Sequence, residues 1–188
     1  YASDRDVFLF LVDPDHEIEG PNGDGPLYRG FMVWNSEVGK TTFGLMTFLY
    51  QFVCDNRIIW GASEVSQLLI RHTSGGPARF AEQAMPALTA YSEGSVKGIE
   101  EGMKAAAQHQ IGKTREDAYT YLIEQGFTQT AAKLGLSLAE QDGRDPTTAW
   151  GAAWGITAYA RAIEHTDDRV LVERQAGQLL EKARMVVA

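Results

Sequence analysis

The apolar residues of this chain change their spacing once. Up to residue 72 they come in short dense runs separated by glycine-rich turns, and from Ala78 onward they recur every three or four positions. Val7 to Val12 is a continuous apolar run rich in β-formers, closed by Asp13-Pro14, and predicts a buried strand. Asp15 to Pro26 carries Gly20, Gly23 and Gly25 and reads as a loop; Leu27 to Trp34 is a second strand, so the two runs predict a long-looped hairpin. Asn35 to Lys40 would then be a turn. Thr41 to Val53 fits two periods: Phe43, Met46, Tyr50 and Val53 match a helical face, while the β-branched and aromatic content suits a strand. We expect a strand that passes into a short helix before Cys54. Arg57 to Trp60 and Val65 to His72 are expected strands around a Gly61-Ala62-Ser63 turn.

The second half has helical composition. Ala78 to about Gln110 is one long helix or two, interrupted near Pro86. Thr114, with Asp117 three residues on, caps a helix over Ala118 to Gln125, and Gly126 suits the position just past its end. Thr128 to Glu140 is a further helix, ended by Gln141 to Pro146. Thr147 or Thr148 caps the next, to about Ala162, and Asp167 caps a terminal helix carrying Val170, Leu171, Ala176, Leu179 and Leu180. Strands first and helices second predict an α+β fold: a mostly antiparallel sheet over residues 7–72, with helices over 78–186 packed on one face. Thr73 to Pro77 is the seam between the two parts of a single 1–188 domain. Tyr1 stands where a Met would, so an upstream N-terminal segment is expected to be missing.

Composition narrows the function classes. At 188 residues, 44% hydrophobic and 22% charged, the chain can build a sizeable core. It has no run of about 18 apolar residues, so no membrane span or membrane partner is expected. The sole cysteine, Cys54, forms no internal disulfide and suits a reducing compartment, which points to cytoplasm. The net charge of −8 sits mostly at the start, where residues 1–25 hold seven acids against Arg5 alone. No basic stripe announces nucleic acid, although folding can gather arginines that lie apart in sequence.

Several stretches invite chemistry and are better read as structure. Val38-Gly39-Lys40-Thr41-Thr42 looks like the end of a phosphate-binding loop, but Trp34 stands where the first glycine belongs, Glu37 would sit beside the phosphate, and no strand ending in Asp follows. A tight β-turn is the simpler reading. Gln129 to Ser137 has the spacing of a helix-turn-helix first half with its turn at Gly135. The second helix would be acidic and broken by Gly143 and Pro146, so a helical hairpin packed on the core is favoured. Asp13-Pro14-Asp15-His16-Glu17 lacks the glycine and terminal Glu of a calcium loop and reads as a solvated acidic loop. Cys54 is expected to be a small core residue, and Trp150, Trp154 and Tyr159 recur at core spacing. We expect neither a cofactor nor a metal.

Asn35-Ser36-Glu37-Val38-Gly39 followed by Val53-Cys54-Asp55-Asn56 resembles a family found in phages, plasmids and prophages, the phage/plasmid-like proteins or domain of unknown function 932 family. The far end agrees: Thr148-Ala149-Trp150-Gly151, Gly155 to Arg161, His165 to Arg169, and Glu173 to Gly177. The resemblance covers about residues 4–183. It implies a mobile-element protein in a bacterial host cytoplasm and carries no activity that transfers residue by residue. It makes Asn35-Ser36-Glu37-Val38-Gly39 the signature and Lys40 incidental, with Asn35, Gly39 and Asn56 as natural turn residues.

Three functions follow as expectations. The first is a non-enzymatic accessory in phage or plasmid DNA metabolism, binding single-stranded nucleic acid, with a homo-oligomer as an accompanying expectation and with Arg57, Arg71 and Arg79 gathered by the fold. The second is an acidic interaction factor that meets a host protein through residues 13–25. The third is a hydrolase in which Glu37, Asp55 and His72 converge. The candidate binding residues are Asn35, Glu37, Gly39, Asn56, Arg57, Arg71, His72 and Arg79.

Overall fold

The computed structural model of the protein describes residues 6–36, 38–39, 42–52, 55–60 and 67–187. Five antiparallel strands come first: β1 (Asp6–Ile18), β2 (Leu27–Ser36), β3 (Phe43–Gln51), β4 (Asn56–Ile58) and β5 (Gln67–Ile70). Six helices follow: α1 (Gly76–Glu93), α2 (Lys97–Gln108), α3 (Arg115–Glu124), α4 (Gln129–Gln141), α5 (Ala149–Ala160) and α6 (Thr166–Val187). The expected α+β order, with the sheet in the N-terminal half and the helices in the C-terminal half, is what the chain adopts. None of its helices is long and apolar enough to cross a membrane, among the described residues.

β1 and β2 pair from Asp6↔Ser36 to Ile18↔Leu27, which makes the predicted hairpin. Asp13-Pro14 does not stop β1. The register shifts between Val12 and Glu17 instead, and the extra residues form a bulge. Within it the Asp13 carboxylate accepts from the Asp15 amide at 3.1 Å and meets His16 Nδ1 at 2.9 Å. Pro14 is tolerated because β1 lies at the sheet edge, where a missing N–H costs no ladder bond.

β3 is a strand throughout Phe43–Gln51, and the short helix expected before Cys54 is not found in that stretch. β2 pairs along one side of β3, from Tyr28↔Tyr50 to Trp34↔Gly44. On the other side β4 pairs Leu49↔Ile58 to Gln51↔Asn56, and β5 pairs Phe43↔Ile70 to Met46↔Gln67. β4 and β5 are therefore two segments laid along one strand, not a hairpin with each other. The Gly61-Ala62-Ser63 turn, Val53 and Cys54 lie outside the described residues.

Alternation along β2 sends Arg29 and Trp34 to opposite faces of the sheet. On the Arg29 face lies the end of α1: the guanidinium donates to the carbonyls of Tyr91 (2.6 Å), Ser92 (2.6 Å) and Gly94 (2.9 Å). On the Trp34 face lies the first half of α6: Val170 packs with Phe8, Met32, Trp34, Phe48 and Ile59. Helices thus cover both faces, where the sequence reading expected one. The larger core joins Leu27, Leu49, Ile58 and Trp60 to the helices, with Trp154 and Leu136 fully buried at its centre.

The helical boundaries follow local chemistry closely. Thr114 and Asp117 form a reciprocal capping box, Gly126 takes φ +88° past α3, and Thr128 and Thr148 cap α4 and α5. Two details differ, at α1 and at α6. Pro86 sits inside α1, and the break before α2 falls at Gly94, where Arg29 collects the last carbonyls. α6 starts at Thr166, which places Asp167 and Asp168 in its first turn, beside the positive end of the helix dipole. α4 runs unbroken through Gly135, in line with the expected helix over Thr128–Glu140. A Cβ there would lie 2.7 Å from Ile156 Cδ1, so this glycine permits close α4–α5 packing and makes no helix-turn-helix turn. Trp150 and Trp154 are buried and Tyr159 half-buried against the same core, as their spacing predicted.

Candidate functional site

The chain leaves β5 at Ile70 and enters α1 at Gly76, and this short passage shapes a surface cavity. The cavity has a volume of about 740 Å³ and is lined by Asn35, Phe43, Ile70, Arg71 and His72, with Phe80 closing it from α1. Each side chain has a structural reason for being there. Asn35 is near the end of β2, and Phe43 begins β3. Ile70 pairs with Phe43 at the last rung of β5, and the two residues after it turn out of the sheet carrying Arg71 and His72. Pro77 opens α1 with its fixed φ, which brings Phe80 back over the sheet. Phe80 meets Phe43 edge to face at 4.3 Å between ring centroids.

The charged side chains among the described lining residues are basic. Arg71 and His72 are exposed, and no carboxylate is among the lining residues. Arg79 stands beside them in the first turn of α1, where its Nη2 donates to the Thr73 hydroxyl. The arrangement offers aromatic surface, two guanidinium groups, an imidazole and a carboxamide that can both donate and accept.

The fold brings together Asn35, Arg71, His72 and Arg79 and separates the other candidates from them. Asn56 is buried at the opposite end of β3, paired with Gln51. Arg57 is no surface cation. It is 4% exposed, bonds the buried Glu173 through Nε and Nη2, each at 3.1 Å, and stacks 3.9 Å from the Phe10 ring centroid. Arg169 binds the same Glu173 oxygen at 2.8 Å. Burial pushes the Glu173 carboxyl up, against the pull of the two guanidinium groups. This cluster ties α6 to the sheet. Gly39 takes φ +68° and donates to the Ser36 carbonyl at 3.3 Å, as a turn residue between two strands. A strand, not a helix, follows it, which removes the architecture a phosphate-binding loop requires. Glu37, Lys40 and Thr41 lie outside the described residues.

The hydrolase trio does not assemble. Asp55 accepts from Tyr50 at 2.9 Å beside one end of β3, while His72 follows the strand paired with the other end. Eight strand residues at about 3.3 Å each put roughly 26 Å between those ends. The acidic stretch is also partly committed within the molecule. Asp24 accepts from Arg144 at 3.2 Å and from Trp150 Nε1 at 2.7 Å, and Glu17 accepts from Tyr28 at 2.8 Å. The two phenylalanines of the cavity were not singled out in the sequence, where each reads as ordinary core. Only the rung between β3 and β5 and the first turn of α1 bring them together.

No protein-family model matches this chain, and neither does any curated protein or solved structure.

Proposed function

We propose that the protein is a non-enzymatic accessory that binds single-stranded nucleic acid at the cavity where α1 begins. The observation that carries this reading is the meeting of Phe43 and Phe80 with Arg71 and His72 on one concave surface. Strands without sequence constraint are held by aromatic surface for the bases and cations for the backbone, and both are present within one nucleotide's reach. A base enters against the Phe43–Phe80 pair, and the flanking phosphates lie on Arg71 and Arg79. Asn35 supplies a donor and an acceptor for a base edge. The resemblance of residues 35–39 and 53–56 to phage/plasmid-like proteins favours DNA metabolism of a mobile element as the setting.

The chain's net charge of −8 makes the attraction local, so affinity should depend strongly on salt and on few side chains. Fluorescence anisotropy of a short labelled oligo-dT at about 50 mM salt tests the reading. Binding is expected, with a slope of log affinity against log salt near −1.4 for two neutralised phosphates. Arg71→Gln and Arg79→Gln should each weaken binding and reduce that slope by about 0.7. Phe80→Leu should cost about 1 kcal/mol or more of affinity through lost stacking. Absence of binding at about 50 mM salt overturns the proposal.

A further inference from the structure

A second cavity, of about 390 Å³, lies on the opposite face of the sheet under the start of α6. Its most unusual lining residue is Arg174. The guanidinium lies 4.3 Å from the Trp34 ring centroid and makes no hydrogen bond or ion pair with any described residue, although its Nε is buried. Burial lowers its pKa. Compare the other arginines packed on aromatic rings here: Arg57 has Glu173, Arg144 has Asp24, and Arg29 has three carbonyls. Arg174 alone among these keeps all five donors unspent while held in a fixed plane by an indole. That is the preorganised half of a bidentate carboxylate site.

The rest of the cavity restricts what the carboxylate can belong to. Asp6 and Asp167 also line it, so a polyanion such as a nucleic-acid backbone is repelled, whereas a ligand that carries its own ammonium is not. Phe8 forms an apolar wall, and Leu69 and Leu171 stand at its mouth, 52% and 67% exposed. These two leucines are large apolar side chains left in water next to a charged cavity, and an apolar ligand group would cover them. The volume falls in the range of small-molecule sites.

We propose that this cavity binds a free apolar α-amino acid, its carboxylate on Arg174, its ammonium between Asp6 and Asp167, and its side chain against Phe8, Leu69 and Leu171. Isothermal titration of the whole protein with L-leucine and L-phenylalanine tests this. Saturable binding with Kd of about 1 mM or tighter is expected, weakened about tenfold or more in Arg174→Met and in Asp167→Asn. Arg174→Met keeps an apolar stem over Trp34, and circular dichroism establishes that it folds. Leu171→Asp, at an exposed position, supplies a second variant that should weaken binding without touching the core. The decarboxylated amines and the deaminated acids should both bind more weakly than the amino acids. No saturable binding up to about 10 mM, equal binding by Arg174→Met, or equal binding by the amines overturns the proposal.

Discussion

Arg29 joins the sheet to the turn between α1 and α2, and its replacement gives a direct measure of that joint. The side chain rises from the third residue of β2, is 5% exposed, and lies 5.6 Å from the Tyr91 ring centroid. Its two terminal nitrogens satisfy three carbonyls at the end of α1, a place where helix carbonyls have no partner of their own. A hydrogen bond to a charged group contributes about 1.5–3 kcal/mol. The Tyr91 bond is buried, while Ser92 and Gly94 stand nearer water and can recover part of their loss by hydration. Arg29→Met also relieves the desolvation of the guanidinium, whose Nε has no partner. The net expectation is a loss of about 3 kcal/mol, or about 6–12 °C in Tm for a chain of this size. Arg29→Lys retains the charge but not the fork that spans three acceptors, and should lose about 2 kcal/mol. Urea unfolding followed by far-UV circular dichroism gives both numbers. A loss in Arg29→Met below about 1 kcal/mol would show that the three bonds contribute nothing beyond what water supplies.

Three further outcomes are expected. Gly155→Ala would place a Cβ 2.0 Å from the Gly135 carbonyl oxygen, and α4 and α5 must separate to admit it. Its stability should fall by about 2 kcal/mol or more in urea unfolding, despite the better helix propensity of alanine. Thr114→Ala removes the capping-box acceptor of Asp117's amide and should cost about 1 kcal/mol in the same assay. Tyr91 is buried with its hydroxyl on the Phe48 carbonyl, and burial raises its pKa above the ordinary 10.0. The unfolded chain therefore loses that proton first, so this group's contribution is intact below pH 10 and falls as pH rises beyond it. Tyr91→Phe should regain stability relative to the wild type above pH 10, by up to about 1.4 kcal/mol per pH unit. A stability difference that stays constant from pH 8 to pH 11 would contradict this.

What could be read from the sequence was what local chemistry decides. The capping box at Thr114 and Asp117, the caps at Thr128 and Thr148, and the β1–β2 hairpin depend on residues close in the chain or on a clear apolar run. The end of β3 departs from the expected short helix because a stretch that satisfies both periods is settled by its partners. Here β2, β4 and β5 hold both edges of one strand. Pro14 looked like a stop because its position at a sheet edge is not visible in sequence. The helix over Thr128–Glu140 is legible in the sequence, whereas the role of Gly135 in letting α4 and α5 touch depends on a partner helix. In the candidate site, Arg71 and His72 were found because they are adjacent and follow a strand. Arg57 was grouped with them on sequence proximity, whereas the fold spends it on Glu173, a residue of the last helix. Separation along the chain likewise hides Phe80 from Phe43 and Arg174 from Trp34.

α5 has one consequence of its own. Eleven of its twelve residues are buried, and only Tyr159 reaches partly toward water. With glycines at 151 and 155 it is a poor helix former by itself, so it exists only while its surroundings hold it. It cannot fray or open by itself without exposing the core on every side. Its amide protons should therefore exchange with solvent only when the whole molecule unfolds, which makes this helix the internal gauge of the protein's global stability.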